Sequence, residues 1–217
     1  MLDTKKRISL TIGALACFAA LVLGIFVAQH APDEQKKLRD QFQGTLLDQP
    51  RDMHRFNLIG IDEKKFTRQS LKNHWTLVFF GFTNCESICP LTMAELGKMY
   101  RLLKKQHVSE VPRVVMISID PARDTVAALS HYVKSFNPHF YGAVGSDKAV
   151  RDLTRELGVV YMKQEAQQGR AVENYNIQHS GTIMLFNTQG QLMAFFTPPH
   201  AAAALAADYE LALHVKQ

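Results

Sequence analysis

The sequence predicts an α/β domain, a mixed sheet flanked by helices, behind one N-terminal transmembrane helix. Three observations carry this. Residues 8–28 contain no charged side chain. Two continuous apolar runs, TLVFFGF (76–82) and VPRVVMISID (111–120), are each followed by a stretch of helical character, the alternation that builds α/β sheets. A late hairpin pattern, TIMLFNTQGQLMAFF (182–196), adds antiparallel strands and makes the sheet mixed. Composition agrees: the 217 residues are 47% hydrophobic and 21% charged, with 12 Gly and 8 Pro, which excludes disordered, collagen-like and low-complexity chains. Three cysteines are too few for a disulfide-stapled scaffold.

The 21 residues from Ile8 to Ala28 span about 31 Å as a helix, the thickness of a hydrocarbon core. A cleaved leader has a shorter apolar core, so the run reads as an uncleaved anchor. Cys17, inside it, reads as a small membrane-buried hydrophobe. Lys5, Lys6 and Arg7 abut the run, whereas Lys36, Lys37 and Arg39 stand further off on its other side. The positive-inside rule places residues 1–7 in the cytoplasm and the C-terminal part on the exported, periplasmic-type side of the cytoplasmic (inner) membrane, with a single crossing. From His30 on, 22 basic and 19 acidic residues leave a net charge of +3, which gives no reason to expect nucleic acid.

Residues 29–50 are polar, with Pro32 and Pro50, and read as a linker with some helix; 51–217 then form the domain. Residues 52–69 read as a short hairpin turning at Gly60-Ile61-Asp62-Glu63. TLVFFGF is a strand buried on both faces, with Trp75, Phe79, Phe80 and Phe82 as core. An amphipathic helix runs from the TNCESICP segment to about Gln106, and 111–120 is the second buried strand. Thr125 is the expected N-cap of the next helix. A short strand follows in HFYGAVG (139–145), then a helix over 147–157 stopped by Gly158. Residues 163–176 read as a polar loop, 182–196 as a hairpin turning at Thr188-Gln189-Gly190, and 200–214 as an Ala/Leu-rich helix.

Chemistry concentrates at Cys85 and Cys89, which stand where a buried strand ends and a helix begins. Ligands bind at such strand ends in α/β folds, and a helix N-terminus lowers a thiol pKa. The i, i+4 spacing puts both sulfurs on one side of a helical turn, able to grip one soft metal ion or to oxidise together. A disulfide closing so short a loop adds little stability. Of nine histidines, His179 is singled out because it precedes the TIMLF strand. In a thioredoxin-like sheet that strand lies beside the one feeding the cysteine loop. Two thiolates and an imidazole suit Cu(I), and Zn²⁺ accepts the same set; spacing alone does not choose. Met93 reads as packing rather than as an axial ligand. Glu86 and Ser87 read as solvent-facing. Asp120 reads as a turn residue before Pro121, with a polar role at the site as the alternative.

FGFTNCESICPLTM (80–93), SIDPARDT (118–125) and NIQHSGTIMLF (176–186) together resemble the Sco/SenC family, from about Arg51 to the C-terminus. The resemblance implies a thioredoxin-like copper-binding domain on a single anchor. It implies Cys85, Cys89 and His179 as copper ligands, with Cu(I) carried and Cu(II) left open. It also implies a role in assembling the dinuclear copper centre of cytochrome c oxidase subunit II, with a copper donor or thiol reductant as second partner. One departure stands out: the family usually has Asp directly before the ligand His, and here the residue is Gln178. The residue before TIMLF is not the proline of thioredoxins, which counts against a general disulfide-exchange enzyme. Two functions stay open: a metallochaperone using Cys85, Cys89 and His179, and a thiol-disulfide oxidoreductase cycling Cys85 and Cys89 without need of His179. A peroxidase is disfavoured because the expected exported part holds no third cysteine.

Overall fold

The computed structural model describes residues 15, 17, 18, 21, 22, 34–164 and 175–215. In chain order the elements are α1 (Glu34–Gln41), β1 (Thr45–Arg51), β2 (Asn57–Gly60), β3 (Lys65–Thr67), a 3-10 turn (Arg68–Leu71), β4 (Thr76–Gly81), α2 (Ile88–Lys105), β5 (Arg113–Ser118), α3 (Val126–Phe136), β6 (Tyr141–Val144), α4 (Asp147–Leu157), β7 (Tyr161–Gln164), β8 (Asn176–His179), β9 (Ile183–Phe186), β10 (Leu192–Phe196) and α5 (Ala202–His214). Two units divide at Asp40/Gln41, and the second holds all ten strands. The expected anchor over 8–28 lies outside the described residues except at 15, 17, 18, 21 and 22; among the described residues no helix is long and apolar enough to cross a membrane.

The apolar runs form the middle of the sheet. All six residues of β4 are buried, as are five of the six in β5. Strands buried along almost every residue need cover on both faces, and the order β1-β10-β9-β4-β5-β6-β2-β3 places them in the interior of eight strands. β4, β5 and β6 run parallel, joined by the crossover helices α2 and α3, while β9 meets β4 antiparallel with Phe79 opposite Ile183. The mixed α/β architecture is thus as the sequence predicts. α2 packs against α5 and α3, burying Cys89, Met93, Leu96, Met99 and Leu103. Each such aliphatic side chain contributes about 1.5–3 kcal/mol on burial.

Local chemistry sets the boundaries. Thr125 caps α3, its hydroxyl accepting from the Ala128 amide at 3.1 Å. Gly158 ends α4 at φ +72°, a conformation that favours glycine. At the β9–β10 turn the Asn187 side-chain oxygen accepts from the amides of Gln189 (3.1 Å) and Gln191 (2.9 Å). The hairpin expected over 52–69 is β2–β3.

Two segments differ from the sequence reading. Thr45–Arg51, which but for Arg51 falls in the stretch read as linker, is an edge strand pairing with β10. Pro50 lacks an amide to donate, and an edge position with an irregular register between Leu46 and Arg51 tolerates it. Both ends of the segment read as a polar loop are strands: β7 and β8 form a separate antiparallel pair, Tyr161 opposite His179. β7 has no buried residue, so it lacks the apolar alternation that marks a strand.

Asp208, buried on α5, accepts from the amides of Gln43 (2.9 Å) and Gly44 (2.7 Å), the residues leading into β1. Asp208→Ala leaves these donors unpaired. It should lower the unfolding free energy by about 1–3 kcal/mol in urea denaturation, with hydrogen exchange accelerated in β1 and unchanged in β4 and β5.

Candidate metal centre

β4 ends at Gly81, and the chain passes through Phe82–Ser87 before α2 begins at Ile88. Asp124 pins the start of this loop. Buried, it accepts from the Thr83 amide at 3.1 Å and from the Ser118 hydroxyl at 2.6 Å, and burial raises its pKa against those hydrogen bonds. Cys85 lies in the loop, 9% exposed, and Cys89 is the second residue of α2, fully buried. The Cys89 amide donates to the Cys85 sulfur at 3.3 Å, so a free N–H of the helix N-terminus serves that sulfur. Ser87, at the N-cap, makes no side-chain capping bond.

Gly81 makes room for this arrangement. A Cβ there would come within 2.9 Å of the Cys89 sulfur and 2.8 Å of the Phe79 ring. The Cys89 sulfur therefore packs directly on the β4 backbone.

His179 arrives from the other direction. It closes β8, and its ring edge meets Phe79 and Phe82 at centroid distances of 5.8 and 6.0 Å. Its Nε2 faces the Cys89 sulfur at 3.2 Å. Cys85 Sγ, Cys89 Sγ and one His179 ring nitrogen lie within 4.8 Å of one another, the one such cluster of His, Cys or acidic groups among the described residues. The three residues singled out from sequence are thus brought together across 94 positions of chain.

The sulfurs differ electrically. Hydrogen bonds from Cys89, with help from His179 and nearby amides, hold the Cys85 thiol down at about 4 against the penalty of burial. Burial, reinforced by the Cys85 thiolate, pushes Cys89 far above the usual thiol range. Of the two sulfurs, Cys85 is the one favoured as the thiolate and Cys89 the one favoured to keep its proton. The two cysteines are not joined in a disulfide. This donor set can hold one soft metal ion, or pass electrons as a dithiol.

A cavity of ≈ 630 Å³ opens over the site, lined among others by Cys85, Ile88, Met162, Gln178, His179 and Pro198. Gln178 is exposed on β8, opposite Met162, and the side chain alternates away from His179. His179 Nδ1 is buried without a hydrogen-bond partner among the described residues, so Gln178 does not orient the ring. Met93 is fully buried on α2, as packing requires, and Glu86 and Ser87 are exposed. Asp120 is more than a turn residue: it is fully buried and accepts from Arg123 and from the Tyr175 hydroxyl. Sequence reasoning weighed Asp120 within SIDPARDT but missed Arg123 and Asp124; the clustered charges of that segment beside a buried strand were the available signal.

A family model described as SCO1/SenC matches residues 45–214. The chain belongs to the SCO1/SenC family. Among its relatives, a "Putative copper-binding protein" of Stutzerimonas stutzeri is 30% identical over 92% of this chain and 90% of its own length. "Protein SCO1 homolog 1, mitochondrial" of Arabidopsis thaliana is 34% identical over 69% of this chain, a match spanning 43% of that relative. A crystal structure of Arabidopsis thaliana ScoI with copper bound superposes with a TM-score of 0.67 at 31% identity, covering 73% of this chain and 95% of the other. The fold is the thioredoxin-like fold of these SCO1/SenC structures.

The asymmetry of the pair is open to direct test. Iodoacetamide followed by mass spectrometry should modify Cys85 well ahead of Cys89 in the native protein. Because its folded pKa is lowered, the Cys85 rate should stay flat from pH 8 down to about 5 and fall below that, through about 4. A rate still rising between pH 7 and 9 would contradict the assignment of the thiolate.

Proposed function

We propose that the protein is a membrane-anchored copper metallochaperone that binds copper through Cys85, Cys89 and His179 and delivers it to the dinuclear copper centre of cytochrome c oxidase subunit II. The observation that carries the reading is the convergence of two sulfurs and one imidazole nitrogen within 4.8 Å on a SCO1/SenC chain. Thiolates favour Cu(I), and an S₂N set leaves room for an incoming ligand. Two relatives of this chain support copper in particular, one described as a putative copper-binding protein and one solved with copper bound.

In this mechanism copper is the cargo. Cys85 meets it already as a thiolate, and Cys89 gives up its proton as the cation's charge takes the place of that proton. His179 supplies the neutral nitrogen donor. Thr83 and Asp124 fix the loop, so the sulfurs stay in place while a donor or recipient exchanges ligands through the cavity above Cys85. Residues 8–28 serve as the single membrane crossing, with 1–7 in the cytoplasm, 29–50 tethering, and the domain on the exported side.

Anaerobic Cu(I) titration against graded chelators tests the site. The wild type should retain one copper, Cys85→Ser and Cys89→Ser should each lose it, and His179→Ala should bind at least tenfold more weakly, by about 1.4 kcal/mol or more. Retention indifferent to His179, with rapid reduction of a partner disulfide, would move the assignment to the thiol-disulfide oxidoreductase. The anchor has its own test. A reporter active only after export, fused after residue 44, should be active and should stay in the membrane through an alkaline wash; release by the wash would remove the anchor from the reading.

A further inference from the structure

Cys85 and Cys89 follow directly from β4 of the main sheet, whereas His179 comes from a strand outside that sheet. β8 belongs to the two-stranded sheet with β7, and β9, which pairs with β4, begins four residues later at Ile183, beyond a bend at Gly181 with φ +66°. Among the described residues, no strand pairing therefore ties β8 to the sheet that delivers the cysteines. Its Nδ1 has no partner among the described residues, so the ring is not oriented by a hydrogen bond there either. Its placement rests on side chains.

Those side chains lead to Arg123. Its guanidinium lies 3.8 Å from the centroid of the Tyr175 ring, and its Nη1 donates to the Tyr175 carbonyl at 3.0 Å. Its Nε donates to Asp120, which also accepts from the Tyr175 hydroxyl. Tyr175 is the residue directly before β8. On another side the guanidinium lies 5.8 Å from the Phe82 ring, and Phe82 packs edge-on against His179 at 6.0 Å. Arg123 thus reaches both the residue that leads into the strand carrying His179 and the ring that His179 rests on.

A buried ion pair is the simpler account, because Asp120 is fully buried and needs a counter-charge. A lysine would meet that need. The planar guanidinium does more: it pairs with Asp120, stacks on Tyr175 and donates to the Tyr175 carbonyl together, which an ammonium cannot do.

We infer that Arg123 is a positioning residue, clamping the start of β8 through Tyr175 so that His179 Nε2 is held against the sulfurs of Cys85 and Cys89. The inference rests on the copper reading for its consequence, though not for its geometry. Groups that orient a ligand histidine typically change metal affinity by about 10–100-fold when altered.

The experiment is a double-mutant cycle with Arg123→Lys and His179→Ala, read by Cu(I) competition. Arg123→Lys should weaken Cu(I) binding about tenfold when His179 is present and less than about twofold when it is Ala. An equal loss in both backgrounds, or no loss in either, would overturn the clamp. A second readout needs no metal: the imidazole NMR signals of His179 in the metal-free protein should shift or broaden in Arg123→Lys, and unchanged signals would also overturn it. If Arg123→Lys does not fold, Tyr175→Leu removes ring and hydroxyl while sparing the Asp120–Arg123 pair, and the same cycle and spectra apply with the same outcomes. A wild type that binds no Cu(I) defeats the copper reading, and the imidazole spectra then decide the clamp alone.

Discussion

The antiparallel pairing of β4 with β9 is the constraint on which the site depends. β4 delivers the cysteine loop at its C-terminal end, and β9, running the other way, begins beside it with Ile183 opposite Phe79. Residues just before β9 are therefore delivered to the place where residues just after β4 emerge. A parallel neighbour would have put its preceding segment at the far end of the sheet. Both strands are buried throughout, so a one-residue slip would disturb a packed core on either face, and the register is correspondingly firm.

Around that pairing the SIDPARDT segment works as a bracket. It leaves β5, the parallel neighbour of β4 on the other side, at the same rim as the cysteines. Asp124 reaches the cysteine loop through Thr83, while Asp120 and Arg123 reach the start of β8 through Tyr175. Buried charge is costly unless paired and hydrogen-bonded, so two carboxylates and a guanidinium beside one site indicate a rim under structural demand.

Much of this was legible in the sequence because it follows from short-range rules. Apolar runs of strand length mark β4 and β5, hydroxyl and glycine punctuation bounds α3 and α4, and Thr188-Gln189-Gly190 announces a turn. Cys85, Cys89 and His179 were legible as a set because strand adjacency could be inferred from topology. The remainder depends on long-range partners. β1 is a strand because β10 offers it an edge, not because 45–51 alternates. β7 and β8 stabilise each other while β7 leaves Val160 and Met162 exposed around it. Arg123 and Tyr175 are 52 residues apart, and neither residue type alone signals the contact.

The unequal burial of the two sulfurs gives the site a front and a back. Cys85 faces the cavity, whereas Cys89 lies beneath it, wedged on the bare backbone of Gly81. An acceptor approaching through the cavity reaches the front donor while the rear one is still shielded. On the proposed function, the hand-over is then sequential, with the front ligand exchanged first and the rear thiolate leaving last, when its proton returns. Such an order keeps the ion attached to one protein or the other throughout, so that it is never loose in solution.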